Sequence, residues 1–327
     1  MSGVLRAACP AHVLDGRFWR AYGITMRPYL LFVSGITGIA GMSLVTAVPP
    51  GALVALGVVF FLAYGFGQAL TDCFQTDTDA LSAPYRPLVQ GIVRARDVFV
   101  VSLAGLIGCA AVLVAFNPAA LVPAALTVVG LATYTWFKRR WWGGPWYNAW
   151  IVSLVVLLGY LAASGAADAP VSVTPDLIGI MLTALAAYAN FVLAGYFKDV
   201  EADRTTGYRT LPVAFGRAMS AWVSDGVALL AFLGAMIVLA RATLTGLVAA
   251  TPFVVGGAVA AVVAQIRLHR VVSDRDAHRA IAPVVHAYIL LLAGLAAAQQ
   301  PRWLPALALV YLAFIGVLAR RPMAEQI

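Results

Sequence analysis

Runs of about 20 apolar residues follow one another almost from end to end of this 327-residue chain, broken by short polar or charged stretches. A hydrocarbon core of ~30 Å is crossed by roughly that many residues of α-helix, so the pattern predicts a succession of transmembrane helices. Ten spans are predicted, at 29–48, 51–70, 96–115, 118–137, 147–164, 176–196, 219–240, 246–266, 280–298 and 302–319. The expected fold is an all-α polytopic membrane protein, a bundle of nine to ten transmembrane helices, because backbone in lipid must satisfy its own hydrogen bonds. Residues 1–28 read as an interfacial segment, with Phe18, Trp19 and Tyr22 set among Arg17, Arg20 and Arg27, and residues 29–320 as one transmembrane domain.

Composition agrees: 62% of residues are hydrophobic and 11% charged, far from the averages of soluble chains. All of the 22 basic residues except Arg241 and Arg302 fall on connections that alternate to one side of the predicted spans. Lys and Arg collect on the cytoplasmic side, so both termini and the longer loops are expected there, in a cell-membrane protein. The net charge of +8 is then a topology signal. Without a soluble basic domain it gives no ground for a nucleic-acid partner, and lipid is the expected surrounding. The N-terminus lacks the short apolar run and small-residue cleavage site of a signal peptide, so the first span is expected to be retained. Cys9, Cys73 and Cys109 are far apart, without metal-ligand spacing, and read as reduced space-filling thiols.

Six of the 14 acidic residues fall in two short stretches: Asp72, Asp77 and Asp79 after the second span, and Asp199, Glu201 and Asp203 after the sixth. Each stretch is followed by Arg, Pro and Gly before the chain returns to the membrane, which suggests two related four-helix units. If the helices continue past the spans, Asp72, Gln75 and Asp79 share one face, as do Asp199 and Asp203. Like charges so placed at the edge of a low-dielectric slab call for a cation. Oxygen donors without His or Cys suit Mg²⁺, which binds through one or two carboxylates plus substrate phosphate oxygens. A phosphorylated substrate follows, and Arg86, Arg94, Lys138, Arg139, Arg140, Lys198, Arg204 and Arg209 are cations within reach of such a group. The same residues are also what a cytoplasmic topology would require, whatever the site does.

These stretches resemble a known family. Thr71-Asp-Cys-Phe-Gln-Thr-Asp-Thr-Asp79 with Arg86-Pro87 and Gly91 is similar to the first aspartate motif of the UbiA superfamily of intramembrane prenyltransferases. Lys198-Asp-Val-Glu-Ala-Asp203 with Gly207 and Arg209-Thr-Leu-Pro212 is similar to the second, and Arg27-Pro28, Tyr134 and Lys138-Arg139 fit the same pattern. The resemblance covers roughly residues 20–300 and implies a central cavity open laterally to lipid, with Mg²⁺ between the motifs holding a prenyl diphosphate. It implies Asp72, Asp79, Asp199 and Asp203 as catalytic metal ligands, and Arg86, Lys138, Lys198, Arg204 and Arg209 as the diphosphate site. Thr71, Gln75 and Tyr196 depart from the pattern, which has Asn and Asp there. Gln75 offers a neutral carbonyl, lowering the number of ions expected, with Asp77 a substitute ligand if the helix unwinds.

On that reading the allylic C–O bond ionises and the cation is held by aromatic faces, with Tyr134, Tyr188, Tyr196 and Phe197 as candidates. Gln75 and Asn190 are further candidates for the pocket, and Asn148 for orienting an acceptor, although membrane Asn often only bonds a neighbouring helix. His269, His278 and His286 come late in the chain and give no clear general base; Asp225 is an isolated intramembrane acid, a type of residue that tends to be functional. Three functions stay open: transfer of the prenyl group to a lipophilic acceptor of unknown identity, an aromatic ring among the candidates; cyclisation of farnesyl or geranylgeranyl diphosphate without an acceptor; and transport of an anionic lipid or metabolite.

Overall fold

The structure, a computed structural model, describes residues 10–321; Arg6 and Cys9 lie outside them. Thirteen α-helices follow one another among the described residues. They are α1 Gly16–Thr25, α2 Leu31–Met42, α3 Pro50–Asp72, α4 Thr76–Ser82, α5 Ala95–Phe116, α6 Leu121–Lys138 and α7 Gly144–Ala166. The rest are α8 Pro175–Tyr196, α9 Val200–Thr205, α10 Leu211–Leu239, α11 Leu244–Leu268, α12 Asp274–Gln299 and α13 Leu304–Ala319. Nine are long and apolar enough to cross a membrane, counting the 3₁₀ turns that lead into α6 and α13, and Pro28–Met42 is a shorter apolar helix. The protein is an all-α integral membrane protein.

The first predicted span, 29–48, ends as a helix at Met42. Gln300, buried at the start of the turn before α13, donates from Nε2 to the carbonyls of Ser43 and Val45 at 3.0 and 3.3 Å. Carbonyls that a continuing helix would satisfy internally are thus satisfied from another element. The seventh span starts earlier than predicted: α10 begins at Leu211 and bends at Gly216, whose φ of 79° belongs to the left-handed region that glycine adopts at little cost.

Helices α7, α8 and α12 are buried along most of their length, whereas α5, α11 and α13 turn mostly outward. In a membrane the inner helices are held by close contact more than by exclusion of water. Along α2 and α7, Gly41 lies against the Val156 carbonyl and Gly159 against that of Gly38, where any Cβ would collide with backbone. The short helices α4 and α9, contacting each other, follow α3 and α8 at the same end of the bundle.

Candidate functional site

Helix α3 stops at Asp72 and the chain restarts as α4 at Thr76, with Gln75 as the cap in a non-helical conformation. Helix α8 stops at Tyr196 in the same way, and Asp199 caps α9. The condition for the shared faces, helices continuing through both acidic stretches, is therefore not met. Even so, Asp72, Gln75, Asp79 and Asp199 all line one pocket of about 120 Å³, together with Arg27, Arg86, Tyr134, Lys138, Asn148, Tyr188, Tyr196 and Lys198.

Asp72 and Asp79 each meet a cation there. Asp72 accepts from Arg27 at 3.1 and 3.0 Å and from Gln68 Nε2 at 2.7 Å. Arg86 pairs with Asp79 and lies 3.8 Å from Asp72, so one guanidinium spans both acids of the first stretch. Lys138 donates to Gln75 Oε1 at 3.0 Å and stands 3.9 Å from Asp203, joining the first stretch to the second. Burial pushes the Asp79 carboxyl up, with Arg86 opposing, and pushes the Lys198 ammonium down to about 8, with Asp199 opposing. Arg27 holds φ at 52°, sparsely populated for a residue with a side chain, beside its bonds to Asp72.

Asp203 is fully buried but is not among the residues lining the pocket. Its Oδ2 accepts from Thr210 at 3.1 Å, and its Oδ1 has no hydrogen-bond partner among the described residues. Burial pushes its carboxyl up to about 7, with Lys138 opposing. Asp77 turns outward instead, to Arg139 and Tyr208, each at 3.3 Å. Arg204 is exposed and pairs with Glu201 at 2.9 Å; Arg209 is exposed too, its backbone N–H donating to Arg139. Lys198, in the break before α9, lines the pocket, whereas these two arginines do not. Arg94 and Arg140 also lie outside it, Arg140 over the Trp136 ring at 3.6 Å.

Four tyrosines, Tyr64, Tyr134, Tyr188 and Tyr196, line the pocket as an aromatic wall. Tyr134 and Tyr196 share a hydrogen bond of 2.9 Å, and Tyr188 donates to Tyr64 at 3.5 Å. Tyr196 reaches Tyr134 over Gly144, where a Cβ would lie 2.3 Å from the Tyr196 hydroxyl. Asn148 lines the pocket, whereas Asn190 faces the other way and bonds Ser224 of α10. Tyr64 and Gln68 went unnoticed in the sequence, yet with Asp72 they recur every four residues along an otherwise apolar span, which marks one helix face. A second cavity of about 80 Å³ adjoins the first, sharing Tyr64, Gln68, Thr71, Asn148 and Tyr188 and bounded beyond them by Leu106, Leu131, Ile151 and Val155.

Among the described residues, no group of three or more His, Cys, Asp or Glu side chains is clustered as a ready metal site. The donor chemistry nevertheless fits a hard cation: Asp72, Asp79, Asp199 and the Gln75 carbonyl are oxygen donors lining one pocket, and no Cys or His shares it.

Known proteins resemble the chain in sequence and fold. A digeranylgeranylglyceryl phosphate synthase of Natronomonas pharaonis is 33% identical over 189 residues, covering 56% of this chain and 64% of that protein, less than two thirds of its length. A solved structure described as a digeranylgeranylglyceryl phosphate synthase shares the fold at a TM-score of 0.62 and 18% identity, covering 86% of this chain and 99% of that one. A UbiA homologue from Archaeoglobus fulgidus, solved with DMAPP and Mg²⁺, does so at 0.56 and 16%, covering 90% and 96%. The model of the UbiA prenyltransferase family matches residues 34–289, most of the chain, and the protein belongs to that family.

Proposed function

We propose that the chain is a Mg²⁺-dependent intramembrane prenyltransferase that ionises an allylic prenyl diphosphate and passes the prenyl group to a lipophilic acceptor. One observation carries the reading: acids from two stretches 127 residues apart meet in one pocket with four cations, Arg27, Arg86, Lys138 and Lys198. Membership of the UbiA prenyltransferase family, with relatives named digeranylgeranylglyceryl phosphate synthase and chlorophyll synthase, supports transfer rather than cyclisation or transport. The neighbour solved with Mg²⁺ supports the choice of ion.

In this mechanism Asp72, Asp79 and Asp199, with the Gln75 carbonyl, hold the ion, which when bound supplies positive charge against that growing on the departing diphosphate. Arg27, Arg86, Lys138 and Lys198 supply the rest of that charge and fix the diphosphate at the mouth of the pocket. Asp203 sits behind Lys138 and positions its ammonium. The prenyl chain lies in the adjoining cavity, against Leu106, Leu131, Ile151 and Val155. The rings of Tyr134 and Tyr196 in the first pocket, and of Tyr188, which lines both cavities, face the allylic cation. The pocket and both termini face the cytoplasm.

The test is an assay of purified protein with Mg²⁺ and farnesyl or geranylgeranyl diphosphate, with and without extracted membrane lipid, following diphosphate release and product mass. Release is expected to need Mg²⁺, to stop with chelator, and to yield an acceptor adduct. Asp72→Asn and Asp199→Asn are each expected to lower kcat by about 100-fold or more, the scale seen when one electrostatic stabiliser of a transition state is removed. A cyclic hydrocarbon formed without acceptor would overturn transfer, and full activity in both variants would overturn the metal–diphosphate site.

A further inference from the structure

The structure assigns a positioning role to Asp274, the first residue of α12: it caps α9 in place of Asp199 and so leaves the Asp199 carboxylate to the pocket. This inference rests on the reading above, in which Asp199 helps to hold the ion.

The first N–H groups of a helix have no partner within it, and an aspartate at the cap position ordinarily takes extended backbone and accepts from the N–H two or three residues on. Asp199 stands at that position of α9 and does neither. Its φ of −111° and ψ of 11° are not extended, its side chain makes no cap hydrogen bond, and it lines the pocket. The N–H two residues on, that of Glu201, donates instead to Asp274 Oδ2 at 2.9 Å, across 73 positions of sequence. The Glu201 carboxylate takes no part, being paired with Arg204 at 2.9 and 3.1 Å.

Asp274 is itself held in place. Arg217 of α10 donates to its Oδ1, so both its oxygens are engaged and α9, α10 and α12 meet on one carboxylate. An acid suits the first turn of α12, where the helix dipole favours negative charge. Helix α12 is buried along most of its length, a fixed post for the six-residue α9. Asp274 is not among the residues lining the pocket, so it acts on the site only by deciding which of two tasks the Asp199 carboxylate performs. Without Asp274, the Glu201 N–H turns to the nearest acceptor in sequence. Asp199 then takes extended backbone, caps α9 and withdraws its carboxylate from the pocket.

The probe is Mn²⁺ alone, which shares the preference for oxygen donors, added to the purified full chain in phosphatidylcholine nanodiscs, with the free ion counted by its electron paramagnetic resonance signal. Asp274→Ala is expected to weaken binding about tenfold, the scale on which the partners of metal ligands act, and Asp274→Asn, which keeps an acceptor for the Glu201 N–H, to stay within about threefold of the unmodified chain. Asp199→Asn is expected to weaken binding by itself, and Asp274→Ala in that background to weaken it no further, because both changes act through one carboxylate. Asp274→Ser, whose hydroxyl is one bond too short to reach the N–H, repeats the deletion with a residue suited to a helix start, so the result does not hang on one variant folding. Unchanged affinity in Asp274→Ala or Asp274→Ser, an equal loss in Asp274→Asn, or losses that add in the double variant would overturn the positioning role while leaving Asp199 as a ligand. Unchanged affinity in Asp199→Asn, or no saturable binding to the unmodified chain, would overturn the ion reading and this inference with it.

Discussion

At the scale of single residues, Gly144 controls the aromatic wall by having no side chain. Its neighbour Tyr196 places its hydroxyl where a Cβ would be 2.3 Å away, and only so does it reach Tyr134 at 2.9 Å. Gly144→Ala is expected to push Tyr196 aside, cost ~1–3 kcal/mol of stability as overpacking does, and lower kcat/KM by about tenfold. Adding Tyr196→Phe removes the clashing oxygen and should restore part of the melting temperature, because the two changes act on one contact. Melting curves and diphosphate release check both; a Gly144→Ala protein with wild-type values would mean that Tyr196 shifts without consequence. None of this was legible beforehand, because a glycine in an apolar span carries no sign of what crosses it. Asp72, Asp79 and Asp199 were legible, since acids cluster there against a chain with few charges. Arg204 and Arg209 were not separable from Lys198 by type or spacing; only the fold sets Lys198 in the break before α9, where it lines the pocket, and leaves Arg204 and Arg209 on the surface.

At the scale of elements, the predicted spans match α3, α5 to α8 and α11 to α13 to within several residues at either edge, since length and hydropathy decide them. The edges that moved did so for reasons outside hydropathy. Residues 43–48 are apolar enough to continue α2, but Gln300, more than 250 positions away, takes the carbonyls of Ser43 and Val45 instead. Gln300→Leu keeps most of the bulk and removes both donors, leaving those carbonyls buried. A loss of about 1–3 kcal/mol is expected, the penalty of an unsatisfied buried group, read as a lower melting temperature with kcat unchanged below the transition. An unaltered melting temperature would show that the turn after α2 needs no outside donor. The same lesson holds at the site, where the helical-face argument for Asp72, Gln75 and Asp79 reached the right grouping through continuous helix that does not form. The break at Gln75 and Asp199 brings the two stretches together from short capping segments instead.

At the scale of the whole molecule, the charge pattern and the fold give one orientation to test. The pocket's cations, Arg86 and Lys198 between helices and Lys138 at the last position of α6, lie at the end of the bundle where α3, α6 and α8 finish. At the opposite end Arg241, beyond α10, pairs at 3.2 Å with Asp176 at the start of α8. The excess of basic residues at the first end is expected to keep it in the cytoplasm. The native cysteines replaced, Arg204→Cys and Arg241→Cys give one thiol at each end, on side chains that are about half exposed. A membrane-impermeant maleimide added to intact cells should label the thiol at 241 and leave the one at 204 unmodified until the membrane is opened. The reverse pattern would turn the bundle over, placing the diphosphate pocket on the face away from the cytoplasm, where a soluble pool of charged prenyl donors could not reach it.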